Sequence, residues 1–206
     1  MSCVLVLAVL FSCLAGAQQQ RRTLRDWAKQ KGYVWTTYGS DVWFGPKNLD
    51  ELVERTNVII LGRVMEERTR LSTDEQMVIT DYIVEVLDVV KSEDSSILPG
   101  GSLTVSKIGG NLLLEGRPVR MDTPGSPPIP WIQPHLFLLS KLAPDNGLYV
   151  GSSTLSVFAV KDEKLVCSPS QADDRARKEL CGKSINEALQ VLKQRVAEHF
   201  KAGKSQ

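Results

Sequence analysis

The sequence predicts a mainly β protein built around one small antiparallel barrel or sandwich. Strand-like segments recur at short spacing between residues 58 and 160, and turns rich in Gly and Pro separate them. The residues before and after this region instead carry the capping motifs and apolar spacing of helices. No longer repeat is visible, so one β domain with helical extensions accounts for the chain.

Composition limits the function classes. The chain has 206 residues, of which 42% are hydrophobic, which is enough for one domain with a sizeable core. Its 25 basic and 24 acidic residues leave a formal net charge of +1. A nucleic-acid-binding protein usually carries a basic patch or stripe, and none is visible here. We therefore expect no nucleic-acid partner.

The first seventeen residues predict a secretory signal peptide, residues 1–17. An uncharged apolar run, Val4–Leu14, precedes the small residues Ala15–Ala17 and a polar stretch, although no Lys or Arg comes before the run. The run is too short to span a bilayer, so the mature chain is expected to have no transmembrane span. Lipid anchoring through Cys13 and a buried apolar N-terminal element are the alternatives. The predicted location is extracytoplasmic, either periplasmic or secreted.

The cysteines predict one disulfide. Cleavage after residue 17 removes Cys3 and Cys13 and leaves Cys167 and Cys181. An even number of cysteines in an exported chain favours a bond between them, and two free thiols are the alternative. Their spacing is not that of a zinc site, and the two histidines lie in other segments. We therefore expect no metal and no other cofactor.

Residues 18–47 form an aromatic-rich extension. Thr23–Lys31 is predicted to be a short helix that ends at Gly32. Three of the four tryptophans of the chain lie in this extension: Trp27, Trp35 and Trp43. Such rings either complete the core by wrapping around the β domain or form an exposed binding surface.

The β domain is predicted to cover residues 48–161. Asn48 caps a short helix, and Gly62 marks a bulge in the strand that follows. The charged stretch Glu66–Glu75 is interpreted as a turn, and the pair Gly109–Gly110 as a hairpin turn. The predicted strands are Val58–Val64, Val78–Val90, Leu103–Ile108, Leu112–Leu114, Pro118–Met121, Leu136–Ser140, Leu148–Gly151 and Leu155–Val160.

Residues 162–206 are predicted to be a helical tail. Ser168–Leu180 is polar and is expected to be helical, and Ser184–Glu187 is a capping box that begins a second helix. Apolar residues then recur at helical spacing from Ile185 to Phe200. This stripe packs on the β domain in the simplest interpretation, and it binds a partner in the alternative one.

The order of these motifs resembles that of a known group of proteins. A short helix leads into NVIILGRV, then ITDYIVEVLDVVK, SLTVSKIGG, a proline-rich loop and HLFLLS. This pattern is similar to bacterial exported domains that in turn resemble the netrin-like OB-fold barrels, which include the tissue inhibitors of metalloproteinases. The resemblance covers roughly half of the chain and implies a small antiparallel OB-like barrel. The inhibitor mechanism is not implied, because that family uses an N-terminal Cys and the predicted mature chain begins at Gln18.

No catalytic motif is visible, so no catalytic residue is assigned and an enzyme is not the leading hypothesis. His135 precedes an apolar strand without a recognisable nucleophile or carboxylate partner, and an ordinary strand-end histidine is expected. Asp81 and Glu85 lie on one face of a long strand, where a solvated face is the simplest interpretation.

The leading hypothesis is a non-enzymatic extracytoplasmic binding module. Its partner would be an envelope or secreted protein, a peptide or a glycan, because exposed tryptophan and tyrosine suit all three. The alternatives are an exported hydrolase with an unrecognised site and a structural envelope component that docks through its tail. The predicted binding residues are Trp35, Tyr38, Trp43 and Trp131.

Overall fold

The computed structural model describes residues 22–38, 46–123, 128–142, 147–150, 157–168 and 174–202. The protein is mainly β, with 46% strand and 20% helix, which confirms the predicted class. The helices are α1 (Leu24–Lys31), α2 (Leu49–Arg55) and α3 (Ile185–Ala202). The strands are β1 (Val34–Thr37), β2 (Val58–Leu71), β3 (Val78–Ser92), β4 (Ser102–Ile108), β5 (Gly110–Leu114), β6 (Arg117–Asp122), β7 (Pro134–Leu142), β8 (Gly147–Val150), β9 (Val157–Lys161) and β10 (Lys164–Val166).

The larger sheet has seven strands in the order β10-β9-β7-β2-β3-β4-β8. Strand β8 also pairs with β7, so the ladders β2–β3, β3–β4, β4–β8, β8–β7 and β7–β2 connect five strands in turn. The β4–β8 ladder is parallel and joins two residue pairs, and the other four are antiparallel. Register shifts interrupt β2 at three places, one of them between Leu61 and Gly62 as predicted.

The smaller sheet has three strands in the order β1-β6-β5. The β5–β6 pair is the short hairpin that the sequence predicts, and it turns through Glu115 and Gly116 at positive φ. Strand β1 runs parallel to β6, and neither β1 nor β10 is predicted from the sequence.

Three apolar clusters hold these layers together. The helix-side core lies between α2, α3 and strands β2, β7, β9 and β10, and it includes Leu49, Leu52, Ile59, Leu136, Leu138, Phe158, Leu165, Leu180, Leu189 and Leu192. The strand core lies on the opposite face of β2 and β7 and includes Val58, Ile60, Val64, Tyr82, Val84, Val105, Phe137 and Leu139. The N-terminal core joins α1 to the smaller sheet through Leu24, Ala28, Val78, Leu114, Val119 and Met121.

The caps of the helices follow the sequence closely. Thr23 and Asp26 form a capping box at the start of α1, and Gly32 ends the helix in the left-handed conformation. Ser184 and Glu187 form the predicted capping box before α3. The apolar side of α3 packs into the helix-side core, as the simpler of the two interpretations predicted.

The charged stretch after the first strand is not a turn. Strand β2 continues to Leu71, and the chain turns only over residues 72–77. On the solvent side, Arg70 pairs with Asp81 and Arg68 pairs with Glu66. The prediction was wrong because a charge-rich segment can still be a strand when a neighbouring strand, here β3, satisfies its backbone.

The helix predicted for Ser168–Leu180 is also wrong over the described residues 174–182, which form turns. Cys167 and Cys181 are bonded, as predicted, and their Cα atoms lie 5.6 Å apart across a sequence separation of 14. An α-helix of that length would separate its ends by about 20 Å, because it rises about 1.5 Å per residue. The disulfide therefore forbids the predicted helix.

The pair Gly109–Gly110 is not a hairpin turn. Strand β4 pairs with β3 and β8, whereas β5 pairs with β6, so the chain crosses from the larger sheet to the smaller one at this point. The signal peptide, Cys13 and Trp43 lie outside the described residues. Among the helices that are described, none combines the length and the apolar character needed to cross a membrane.

Candidate functional site

The candidate site begins with two rows of side chains on the strand-core face of β2, β3 and β4. Thr69 pairs with Thr80, which pairs with Lys107. One row further in, Glu67 pairs with Tyr82. Cross-strand partners point to the same side of a sheet, so polar groups continue the face that Tyr82 and its apolar neighbours occupy in the strand core.

A register shift in β2 determines which charged residue faces this site. The pairing moves by one residue between Val64 and Glu66, and Met65 is left exposed at the irregularity. Strict alternation from buried Val64 would place Glu66 on the core face, but the shift places Glu67 opposite Tyr82 instead. The alternation pattern of the sequence therefore could not identify Glu67.

The crossing at Gly109 and Gly110 forms one wall of the site. Both residues have positive φ, 107° and 139°, and Thr80 Oγ1 donates a hydrogen bond to the carbonyl of Gly109 at 2.7 Å. A Cβ on Gly110 would lie 2.4 Å from Thr80 Oγ1, so no larger residue fits without movement. The backbone thus passes close to β3 and brings the smaller sheet against the polar rows.

The result is a cleft of about 510 Å³ between the two sheets. This volume lies within the range of small-ligand sites, about 300–1,000 Å³. Its polar lining carries two basic and two acidic side chains together with amide and hydroxyl groups. The polar lining residues are Glu67, Thr69, Thr80, Tyr82, Lys107, Asn111, Arg120, Asp122 and Thr123.

Trp35 lies beside this cleft and is held in a fixed position. Its indole N–H donates to Asp122 Oδ2 at 2.7 Å, and the Arg120 guanidinium carbon lies 5.3 Å from the ring centroid. Arg120 also donates to Asp122 Oδ1 at 2.9 Å, and this bond, followed by the bond from Trp35, lowers the pKa of Asp122. The ring is nevertheless 70% exposed, so it presents a positioned apolar surface to solvent.

Trp131 lies beside the other acidic side chain of the cleft. Its indole N–H donates to Glu67 Oε2 at 3.3 Å, and the residue is 49% exposed. The next residue, Ile132, is 75% exposed with φ at 70°, a conformation that a β-branched side chain rarely adopts. Its N–H donates to Val64 O at 3.3 Å, which holds this loop against β2.

The other predicted binding residues are placed differently. Tyr38 is half-buried against the N-terminal core, and its backbone N–H donates to Asp122 O at 2.8 Å. Tyr38 therefore supports the wall that carries Asp122 rather than adding exposed surface. Trp43 lies outside the described residues. Trp35 and Trp131 thus each bond a carboxylate that lines the cleft, whereas Tyr38 contacts the same wall through its backbone.

Lys107 is the titratable group that sequence reasoning missed. It lines the cleft but is only 8% exposed, and burial lowers its pKa to about 8, a shift that the negative charge of Glu67 opposes. One signal was available in the sequence. Leu103, Val105 and Lys107 alternate along a predicted strand, so a lysine occupies a position that the pattern assigns to the core.

The residues considered for catalysis do not form a cleft site. His135 is buried, its Nδ1 lies 2.8 Å from Gln133 O, and burial lowers its pKa. Asp81 accepts hydrogen bonds from Arg70 and Ser106 on the opposite face of β3. Among the described residues, no three His, Cys, Asp or Glu side chains converge in a way that would hold a metal ion.

No protein-family model matches the chain, and no curated protein sequence matches it.

Proposed function

We propose that this chain is a non-enzymatic, extracytoplasmic binding module whose site is the cleft flanked by Trp35 and Trp131. One observation carries the proposal. The exposed indoles of Trp35 and Trp131 each donate to a carboxylate that lines the same cleft, although the two residues are far apart in the sequence. Neither sheet alone would place both rings there.

The proposed architecture is the OB-like barrel that the sequence resemblance implies. Its support is the run of ladders that links β2, β3, β4, β8 and β7 and returns to β2. In such a barrel the strand core fills the interior, and the polar rows of β2, β3 and β4 lie at one mouth. Mouths of β-barrels are common ligand sites.

The ligand that best fits this cleft is a short saccharide. Its volume suits a small molecule, whereas protein partners usually cover a flatter and larger surface. Saccharides combine apolar ring faces with many hydroxyl groups. The indole faces of Trp35 and Trp131 suit the first, and carboxylate, guanidinium and amide groups suit the second.

Export is part of the proposal. It is supported by the Cys167–Cys181 disulfide, since such bonds persist in oxidising compartments, and by the signal-like residues 1–17. The intact non-reduced mass of the protein from its native host tests it. We expect a chain that begins at Gln18 and is two hydrogens lighter than the reduced form. A full-length reduced chain would contradict export.

Binding is tested by NMR on the protein with ¹⁵N-labelled tryptophan. Soluble cello-, chito- and malto-oligosaccharides are titrated, and a random peptide mixture is titrated in parallel. We expect saturable shifts of the Trp35 and Trp131 indole signals with at least one saccharide, and affinity about tenfold weaker in Trp35→Ala and in Trp131→Ala.

Trp27→Ala is the matched control, because Trp27 lies on α1 and its ring contacts Arg22 and Lys31 instead of a carboxylate of the cleft. It should leave the affinity unchanged, and circular dichroism should show all three variants folded. Shifts with the peptides but with none of the saccharides would replace the saccharide by a peptide. No shift with either would contradict the site.

A further inference from the structure

Two lysines of this protein are buried to nearly the same extent, but their surroundings differ. Lys91 is 7% exposed and Lys107 is 8% exposed. The ammonium of Lys91 donates to the carbonyls of Val53 at 2.8 Å, Glu54 at 3.3 Å and Thr56, which accounts for its burial. Lys107 instead lines the cleft, where its neighbours across β3 and β2 are the hydroxyl residues Thr80 and Thr69.

We infer that Lys107 is an amine that captures aldehydes entering the cleft and forms a reversible imine with them. The inference deepens the proposed function and rests on it, because an open-chain reducing sugar is an aldehyde and would be the corresponding ligand of this cleft. The geometry that carries it is a single amine in a cleft large enough for a small molecule, walled by Gly109 and Gly110.

The reaction is balanced without any further reactant. The neutral ε-amine of Lys107 attacks the carbonyl carbon, and the carbonyl oxygen takes up a proton to give a carbinolamine. The carbinolamine then loses its hydroxyl group, with a proton, as water, and a C=N bond forms. No oxidation or reduction takes place, and water reverses the step.

Burial favours the neutral form of this amine, and the negative charge of Glu67 opposes that effect. Glu67 on β2 is the acidic group that acts on it, and its effect is smaller than that of burial. The other titratable groups lining the cleft are Tyr82 on β3 and the pair Arg120 and Asp122 on β6. Because Arg120 donates to Asp122, that carboxylate is already paired with a cation.

The lowered pKa gives Lys107 a much larger neutral fraction than an ordinary lysine has. With a pKa of about 8, about half of Lys107 is neutral at pH 8, whereas an ordinary lysine is neutral in only about 0.3% of molecules. Lower basicity makes each neutral amine a weaker nucleophile, which offsets part of this gain. We therefore expect Lys107 to react at least about tenfold faster than an exposed lysine at pH 8.

The experiment uses the whole protein, glycolaldehyde as the probe and cyanoborohydride to trap the imine, followed by peptide mapping. We expect one dominant adduct, on Lys107, at least about tenfold ahead of the exposed Lys47 and Lys161 at pH 8. Lys91 should stay unlabelled, because its three carbonyl partners hold it outside the cleft. Lys107→Arg should abolish the dominant adduct, and Lys47→Arg should leave it unchanged.

Labelling of Lys107 at or below the rate of Lys47 would overturn the inference, and so would equal labelling of Lys91. The wild-type map alone decides this if Lys107→Arg does not fold. Glycolaldehyde does not need the tryptophans, so Trp35→Ala should still be labelled on Lys107. Saccharide binding without a Lys107 adduct would thus refute the inference and leave the proposed function standing. A Lys107 adduct without saccharide binding would support the reactive amine and contradict the proposed function.

Discussion

A buried lysine lies near each end of strand β3: Lys91 on β3 itself and Lys107 on the neighbouring strand β4. Their surroundings differ. Near the end of β3, Lys91 donates to carbonyls at the C-terminus of α2 and completes the last turn of that helix. Near the start of β3, Thr80 pairs with Lys107, which lines a cleft instead of capping a helix. Burial lowers the pKa of both lysines, and it lowers that of Lys107 to about 8.

The two lysines differ in what surrounds the buried ammonium-bearing side chain: the C-terminus of a helix for Lys91 and a cleft for Lys107. When a buried cation donates to several carbonyls, these hydrogen bonds offset the free energy that it loses on leaving water. Lys107 lies in a cleft, where burial lowers its pKa to about 8, and a protein tolerates such a shift at a site where a neutral amine or a ligand contact is useful. The two regions should therefore respond to the same substitution with opposite signs.

The largest effect is expected at the structural end. Lys91→Met leaves the carbonyls of Val53 and Thr56 buried without their donor, so we expect the free energy of unfolding to fall by about 4 kcal/mol. Urea denaturation followed by circular dichroism measures this. A loss below about 1 kcal/mol would show that these carbonyls find other donors and that Lys91 is not a helix cap.

The second prediction concerns the disulfide, which lies against the same helix-side core as α2. Cys167 and Cys181 pack against the helix-side core that also contains α2. Replacing both by alanine should lower the free energy of unfolding by about 3 kcal/mol, because the bond restricts a loop of 14 positions in the unfolded chain. Dithiothreitol should destabilise the wild type by a similar amount and leave the double variant unchanged. An equal effect on both proteins would contradict this.

For Lys107, substitution by Met should change the free energy of unfolding in the opposite direction. Lys107→Met removes a charge that the fold disfavours, and we expect the free energy of unfolding at pH 7 to rise by about 2 kcal/mol. Between pH 8 and 10.5 the unfolded wild type binds more protons than the folded one, so its own stability rises with pH. The advantage of the variant should therefore vanish above pH 10.5. A loss of stability at pH 7 would make Lys107 structural, like Lys91.

His135 is another buried basic residue whose pKa is lowered by burial. Burial lowers its pKa below the usual 6.5, and its Nε2 atom has no hydrogen-bond partner among the described residues. The unfolded chain therefore binds the proton first, and this contribution to stability falls as the pH drops below 6.5. We expect the free energy of unfolding of His135→Gln to fall less than that of the wild type between pH 7 and pH 5, measured by urea titrations at each pH. Identical losses would contradict a buried neutral imidazole.

Local patterns were sufficient for most of the elements and for none of the cleft. The capping residues Thr23, Asn48 and Ser184 identify the three helices, and alternation identifies β3 and β4, because these signals act within a few residues. The disulfide follows from counting cysteines once the signal-like segment is removed. The OB-like barrel and the saccharide ligand stay predictions.

The sequence by itself therefore determined the mainly β class and the three capped helices, and it predicted the Cys167–Cys181 bond. Only the tertiary structure decided that β2 extends to Leu71, that the chain crosses between sheets at Gly109, and that Trp35 and Trp131 bond carboxylates of one cleft. The reason is physical. Strand register and sheet membership depend on hydrogen bonds between residues far apart in the chain, which no local pattern encodes.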